Sequence, residues 1–303
     1  MKISGFTIIR DGVRLGYPFV ESIRSVLPLC NEFFVAVGEG TDETLDVLRT
    51  IDDPRLHLVQ TRWNERSTQH GFVIAQQKML AQYHCTGDWA FYLEVDEVIH
   101  ERDLEPLRAA MAQYLPRRDI EALVFDYHHF YGDCHHVNVS PAAYRRAARI
   151  IRNDIRSMAL DGLYWSVIRD RTWYGKRNKR RLRYPRAAAL NIPIYHYGNA
   201  RRAAALAEKA ETGRRYWGGK LVFHERYGDI DPRAIRAFEG AHPAVMKDWI
   251  ERHANQSFRF NPDHKLTRRE RKHRIVMALE QWLGFEASKK HFKIVEEYAP
   301  GSE

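Results

Sequence analysis

Three carboxylates stand together at Glu94-Val95-Asp96-Glu97, directly after the apolar run from Trp89 to Leu93. That run is short enough for one buried strand. Unpaired charge is costly to bury, so a buried strand ending on three carboxylates points to a site. Hard divalent cations such as Mg2+ take oxygen ligands, often one or two carboxylates plus substrate phosphates. Alternation along an extended strand puts Glu94 and Asp96 on one face, with Glu97 beside them. The competing reading is a plain strand end running into a helix, with Asp96 or Glu97 near the helix N-terminus.

The elements that position this stretch can be read in order. Ser4 to Arg10 is a strand closed by Asp11-Gly12, and Pro18 to Leu29 is a helix with Phe19, Ile23, Val26 and Leu27 on one face. Phe33 to Val37 is a second strand, running into the Gly-rich turn Gly38 to Thr44, where Thr41 is placed to cap a helix. Leu56 to Gln60 is a third strand, Gln69 to Tyr83 a helix, and Trp89 to Leu93 the fourth strand. Such alternation predicts an α/β fold, a mostly parallel sheet with helices on both faces. Ligands of such sheets bind beyond the carboxyl ends of the strands. Arg10-Asp11, Glu39 to Asp42 and Glu94-Asp96-Glu97 all lie at such ends and should converge on one crevice.

Downstream the pattern changes. A helix is predicted from Asp103 to Tyr114, then strands at Glu121–Phe130, Ala147–Arg152, Leu163–Ile168 and Ala188–Tyr197. Arg201 to Arg215 reads as a helix, Arg233 to Arg252 as mainly helical, and Thr267 to Trp282 as helical. A mainly helical C-terminal extension over 216–303 follows.

The chain has 303 residues, 44% of them hydrophobic, enough for a substantial core. No apolar run reaches transmembrane length and the N-terminus carries no signal-peptide pattern. Three dispersed cysteines make neither a metal motif nor a disulfide framework, so a cytoplasmic location is expected. The net charge of +9 favours anionic partners. It concentrates in Lys176–Arg183 and Arg268–Arg274. The first run reads as a loop placed to touch anionic lipid, at the inner face of the cell membrane, or an acidic glycan. The second reads as a solvated helix face. Charge alone would also suit a nucleic-acid-binding protein, but no zinc finger, RRM signature or helix-turn-helix grammar is present, and nucleic acid is not an expected partner. The pairs His128-His129 and His135-His136 tempt a zinc reading. Neighbours in a strand point to opposite faces, however, so each pair offers one ligand at most, and acceptor-pocket or surface roles fit better.

In their order and spacing, the strand FTIIRDG, the strand-turn-helix VAVGEGTDETLDVL, the strand ending in EVDE and the downstream IYHYG resemble a GT-A fold glycosyltransferase of the bacterial family-two type. The resemblance covers about residues 3–215. It implies a GT-A domain over 1–215, with a nucleotide-binding half at 1–104 and an acceptor half at 105–215. EVDE stands where that family has its DxD motif, with Glu94 departing from the usual Asp, and Glu39 stands where it has an Asp for the base or ribose. By the resemblance, Asp96 and His196 hold Mn2+ or Mg2+ with Glu97 or Glu94 nearby. Arg10, Glu39, Glu94, Arg201 and Lys209 then serve a UDP-, GDP- or dTDP-sugar, Arg201 and Lys209 by neutralising the diphosphate. An inverting transfer needs a general base, drawn from Asp154, Asp161 and Asp170. Asp161 is favoured because it precedes the aromatic cluster Leu163-Tyr164-Trp165, although an aspartate beside Gly162 is also an ordinary turn residue. The implied activity is a hexosyltransferase-like, metal-dependent transfer from a nucleotide-sugar to a glycan or lipid-linked acceptor of surface polysaccharide or glycoconjugate synthesis. A nucleotidyltransferase would share the sheet, the acidic strand end and the metal.

Overall fold

The structure is a computed structural model that describes residues 1–67, 69–168, 182–217, 226–287 and 290–299. The chain opens with β1 (Ile3–Ile9), α1 (Phe19–Val26), β2 (Glu32–Gly38), α2 (Thr44–Arg49), β3 (Leu56–Thr61), α3 (Phe72–Tyr83) and β4 (Trp89–Tyr92). These strands are all parallel and lie in the order β4-β1-β2-β3. The chain therefore steps outward from β1 to β3 and returns to the other side of β1. That reversal opens a crevice between the carboxyl ends of β1 and β4.

Alternation divides the strand side chains between two cores. Ile3, Ile9, Phe33, Val35 and Val37 share one core with Ile23 and Val26 of α1 and Leu48 of α2. Phe6, Ile8 and Ala36 turn the other way, toward Ala81 of α3 and Trp165. Because both faces are covered, all seven residues of β1 are buried, which is why it reads as a near-continuous apolar run.

The second half is β5 (Glu97–Ile99), α4 (Leu104–Tyr114), β6 (Ala122–Tyr131), β7 (His136–Asn138), β8 (Arg146–Arg152), β9 (Ser157–Ala159), β10 (Trp165–Ile168), β11 (Leu182–Arg183), β12 (Arg186–Asn199) and α5 (Ala203–Trp217). β8 runs antiparallel between β4 and β6, and the long β12 lies parallel to β6. β5 folds antiparallel onto β12 and sets Glu97 opposite His196. The expected α/β class, with its mainly parallel leading half, is the observed one.

Beyond α5 come β13 (Ile235–Ala237), α6 (Lys247–His253), α7 (Arg268–Leu283) and β14 (Lys293–Glu297). This segment is not made of helices alone, since β13 pairs with β7 and β14 with β12. The helix expected over Arg233 to Arg252 is confined to α6 among the described residues. Gly240 and Pro243 interrupt the helical pattern, and the free edge of β7 captures Ile235 to Ala237 as a strand. No helix among the described residues is long and apolar enough to cross a membrane.

One buried cation ties the end of α4 to β8. Arg152, at the end of β8, donates from Nη2 to the carbonyls of Tyr114, Leu115 and Arg117 at 2.7–2.9 Å and from Nε to that of Ile120 at 2.6 Å. It thereby caps the C-terminus of α4, where the helix leaves carbonyls without partners and favours positive charge. Arg152→Leu should lower the unfolding free energy by roughly 3–5 kcal/mol, measured by urea titration, because it orphans several buried carbonyls at once.

Candidate active site

The crevice between β1 and β4 is a cleft of about 440 Å3, and Arg10, Asp11, Glu94, Asp96, Asp161, His196 and Lys209 all line it. β1 delivers Arg10 and Asp11, and Asp11 sits at φ 52° as the chain turns off the strand. The carboxylate stretch leaves β4 differently from the expected alternation. The strand ends at Tyr92 and the chain turns, with Glu97 N–H donating to the Glu94 carbonyl at 2.9 Å. The turn, rather than a pleat, sets the directions of these side chains.

Glu94, Asp96 and His196 each offer one ligand atom, and these atoms lie within 4.8 Å of one another. His196 Nε2 is 3.6 Å from Asp96 Oδ1. Asp96 Oδ2 accepts from Arg201 Nη2 at 3.1 Å and Lys209 Nζ at 3.4 Å. Burial alone would raise the Asp96 carboxyl, but Lys209, His196 and Arg201 outweigh it and hold the group well below the usual carboxylate range. Burial pushes Glu94 the other way, up to about 7, against the pull of Arg149 and with repulsion from Glu97 and Asp96. Burial and the Arg201 charge draw Lys209 down to about 8, opposed by Asp96. Gly198, in an irregular stretch of β12, keeps the approach to the two ligands open. A Cβ there would lie 2.6 Å from His196 Nε2 and 2.7 Å from Asp96 Oδ2. Two carboxylates and an imidazole around a space that only glycine leaves free fit a divalent cation.

The orientation of the imidazole follows from its neighbours. His129 on β6 lies beside His196 in register and shares its face. Its Nε2 is 2.5 Å from the Tyr144 carbonyl. A carbonyl only accepts, so His129 Nε2 carries a proton. Burial and the neighbouring His196 lower the His129 pKa to about 3, with the Tyr144 carbonyl opposing. The ring is therefore neutral and its Nδ1 is an acceptor. The 2.8 Å contact between the two Nδ1 atoms must then be a donation from His196. A neutral His196 is left with its lone pair on Nε2, facing Asp96 (the tautomer a metal needs).

Glu97 has a different surrounding. Fully buried, it receives Arg149 Nε at 2.8 Å and Nη2 at 2.6 Å, and Tyr127 Oη–H at 2.9 Å. It does not belong to the three-residue cluster. Arg149 also donates to Glu94 at 2.8 Å and, from Nη1, to the Leu163 carbonyl at 2.8 Å. It is the extra residue of a bulge on β8, where the pairing slips between Leu123 and Val124, and the bulge aims it at the carboxylates. The buried Lys78 donates to the Gly162 carbonyl at 3.1 Å. The loop bearing Asp161 is thus tied down at two carbonyls, and Asp161 Oδ1 accepts from the N–H groups of Leu163 (2.8 Å) and Tyr164 (3.2 Å).

The remaining expected residues are spread out. Arg10 pairs with Glu65 and donates to Tyr216 Oη at 3.0 Å on the cleft wall. Arg201 is fully buried behind Asp96, with Nη1 on the Leu15 carbonyl at 2.6 Å, and it does not line the cleft. Glu39 is exposed, pairs with Arg62 at 2.8 Å and lines a second cavity at the ends of β2 and β3. The expected single crevice is therefore two. Thr41 caps no helix; its N–H donates to Asp11 at 2.8 Å, while Asp42 receives the first amide of α2, from Thr44, at 3.0 Å. Asp154 pairs with Arg118 at the surface. Trp165 is buried beneath Lys78, and Tyr164 stacks on His291 instead of lining the cleft. Asp170 and Lys176 to Arg181 lie outside the described residues. Arg149 escaped the sequence reading, and His129, expected with His128 as an acceptor-pocket or surface residue, instead stands behind His196. The available signals were an arginine inside the apolar strand AARII and a histidine two residues beyond Tyr127 in β6.

No protein-family model matches the chain, and no curated protein matches it. Among solved structures, half of the chain overlaps crystal structures of S. aureus TarS. The crystal structure of TarS matches at 15% identity and TM-score 0.33, over 50% of this chain and 28% of that one. TarS 1-349 matches at 15% identity and TM-score 0.34, over 47% of its length. TarS 1-349 in complex with UDP matches at 16% identity, with the same TM-score and coverage. The chain thus spans less than half the length of each, and at such scores the likeness carries no inference about activity.

Gly198→Ala should weaken Mn2+ binding by at least about tenfold in calorimetry, with little change in melting temperature. His129→Phe, which removes the acceptor for His196 Nδ1–H, should weaken Mn2+ by about 10–100-fold, and His129→Asn should retain more of the affinity.

Proposed function

We propose that this chain is a metal-dependent glycosyltransferase. It binds a nucleotide-sugar across the β1–β4 crevice and moves the sugar to a glycan or lipid-linked acceptor. The observation that carries this reading is the cluster of Glu94, Asp96 and His196 at the strand reversal, with its approach kept open by Gly198. When bound, a divalent cation supplies Lewis-acid stabilisation to the diphosphate as the glycosidic bond breaks.

The chain's own groups divide the remaining work. Asp96 and His196 hold the cation, with Glu94 completing the set; Glu97 instead anchors Arg149. Lys209, on the cleft wall, meets the diphosphate charge, while Arg201 acts through Asp96 by fixing its Oδ2. Arg10 stands beside Trp63 and Tyr216, a wall suited to a base or sugar ring. Asp161 faces the same cleft and takes the proton of the acceptor hydroxyl in an inverting transfer. Its loop, held at the Leu163 carbonyl by Arg149, is linked through that guanidinium to the carboxylates on the donor side. Glu39, outside the cleft, has no part in this assignment.

The test is calorimetry with Mn2+ and a panel of UDP-, GDP- and dTDP-sugars. One donor class should bind in a metal-dependent way, and Asp96→Ala should weaken it at least about a hundredfold. Full affinity in the variant would remove the metal assignment. A panel without any binder would remove the donor reading. Asp161→Asn should leave donor binding intact and cut transfer by about 10²–10⁴-fold, measured by release of the nucleoside diphosphate with acceptor present.

A further inference from the structure

α7 is built inside out. Its polar side faces the protein. Arg274 makes a two-pronged pair with Asp231 at 2.6 and 2.7 Å, and Glu280 accepts from Arg145 at 2.7 Å. At its start, Thr267 and Glu270 form a capping box, and Glu270 also receives the Asp231 amide at 2.9 Å. These bonds fix the rotation of the helix about its axis. The side left facing water carries Ile275, Leu279, Trp282 and Leu283, spaced for one helical face. Ile275 is 63% exposed and Trp282 79%; Leu279, Leu283 and, just past the helix end, Phe285 are exposed too. A surface helix ordinarily turns such a stripe inward. A contiguous exposed apolar patch marks a binding surface.

The same face continues toward the N-terminus of α7 as Arg268, Arg271 and Lys272. At 100° per residue these lie within about 60° of the line through Ile275 and Leu279. The face reads Arg268, Arg271, Lys272, Ile275, Ala278, Leu279, Trp282, Leu283, with no acid in it. The carboxylates of α7, Glu270 and Glu280, are turned inward and engaged. That charge pattern selects the occupant. A second copy packing α7 on α7 would bury six cations with no carboxylate on the face to meet them. A bilayer with anionic headgroups takes both parts together: the apolar stripe enters the acyl boundary, Trp282 sits at headgroup level, and the cations meet lipid phosphate.

We propose that the outer face of α7 is an interfacial membrane-binding surface that docks the protein on anionic lipid. The surface is distinct from the cleft and from the basic run that the sequence marked for lipid, and it is independent of the catalytic reading.

The test is flotation of the full chain with two sets of vesicles. One set is phosphatidylcholine alone; the other contains about a third phosphatidylglycerol, a fraction that makes the surface strongly negative. The protein should float with the anionic vesicles, and salt of about 1 M should weaken the association. Leu279→Ser with Trp282→Ser should abolish flotation without changing the melting temperature or cation binding. Arg268→Gln with Arg271→Gln and Lys272→Gln should reduce partitioning on the order of a hundredfold while leaving the apolar stripe intact. Undiminished flotation in both variants would overturn the assignment to α7. No flotation of the parent chain, with self-association in sedimentation equilibrium that the serine pair dissolves, would give the face to a second copy instead. No flotation without self-association would also overturn the proposal.

Discussion

A guanidinium sealed from water must have its charge balanced where it sits, and Arg149 meets that condition with Glu97 and Glu94. Such a pair contributes little net stability when formed, but losing one partner leaves a buried charge and costs about 3–5 kcal/mol. The geometry is therefore all or nothing. β8 must lie against β4, the chain after β4 must turn to bring Glu97 inward, and the 161–163 loop must close over the free Nη1. Three segments distant in sequence meet at one cation, and two of them, the turn after β4 and the 161–163 loop, carry residues of the cleft.

The same constraint separates roles among neighbouring carboxylates. Glu97 has its oxygens committed to Arg149 and Tyr127. Asp96 is held by Arg201 and Lys209 on Oδ2 and keeps Oδ1 toward His196. Glu94 shares one oxygen with Arg149 and has its side chain partly open to the cleft. Protein cations thus offset part of the repulsion among three clustered acids. For Glu94, burial and the repulsion of Glu97 and Asp96 outweigh its share of Arg149 and push the carboxyl up to about 7.

The leading half of the fold was largely legible because strand and helix periodicities differ and each segment declares its own. Both-sided burial made β1, β2 and β4 near-continuous apolar runs, and the return of the chain to β4 put Arg10, Asp11, Glu94 and Asp96 together. The later segments were less legible. Whether Ile235 to Ala237 is strand or helix depends on the open edge of β7, which local sequence does not describe. Glu39 was expected in the main crevice because it follows β2, yet the order β4-β1-β2-β3 sets β2 one strand away from the reversal.

By itself, the sequence determined the alternating α/β pattern, the acidic strand end and a histidine in an apolar strand, because those are properties of consecutive residues. Only the tertiary structure decided which partners each charge receives. Arg149, His129 and Gly198 matter through contacts distant in the chain, from Glu97 to Arg149, from His129 to His196 and from Asp96 to Gly198, and through the slips in β8 and β12 that aim Arg149 and Gly198. Arg201 shows the difference most clearly. In the sequence it is a basic residue at a helix start, available to a ligand. In the fold it is buried against Asp96, because an acid that deep in the protein needs a cation beside it.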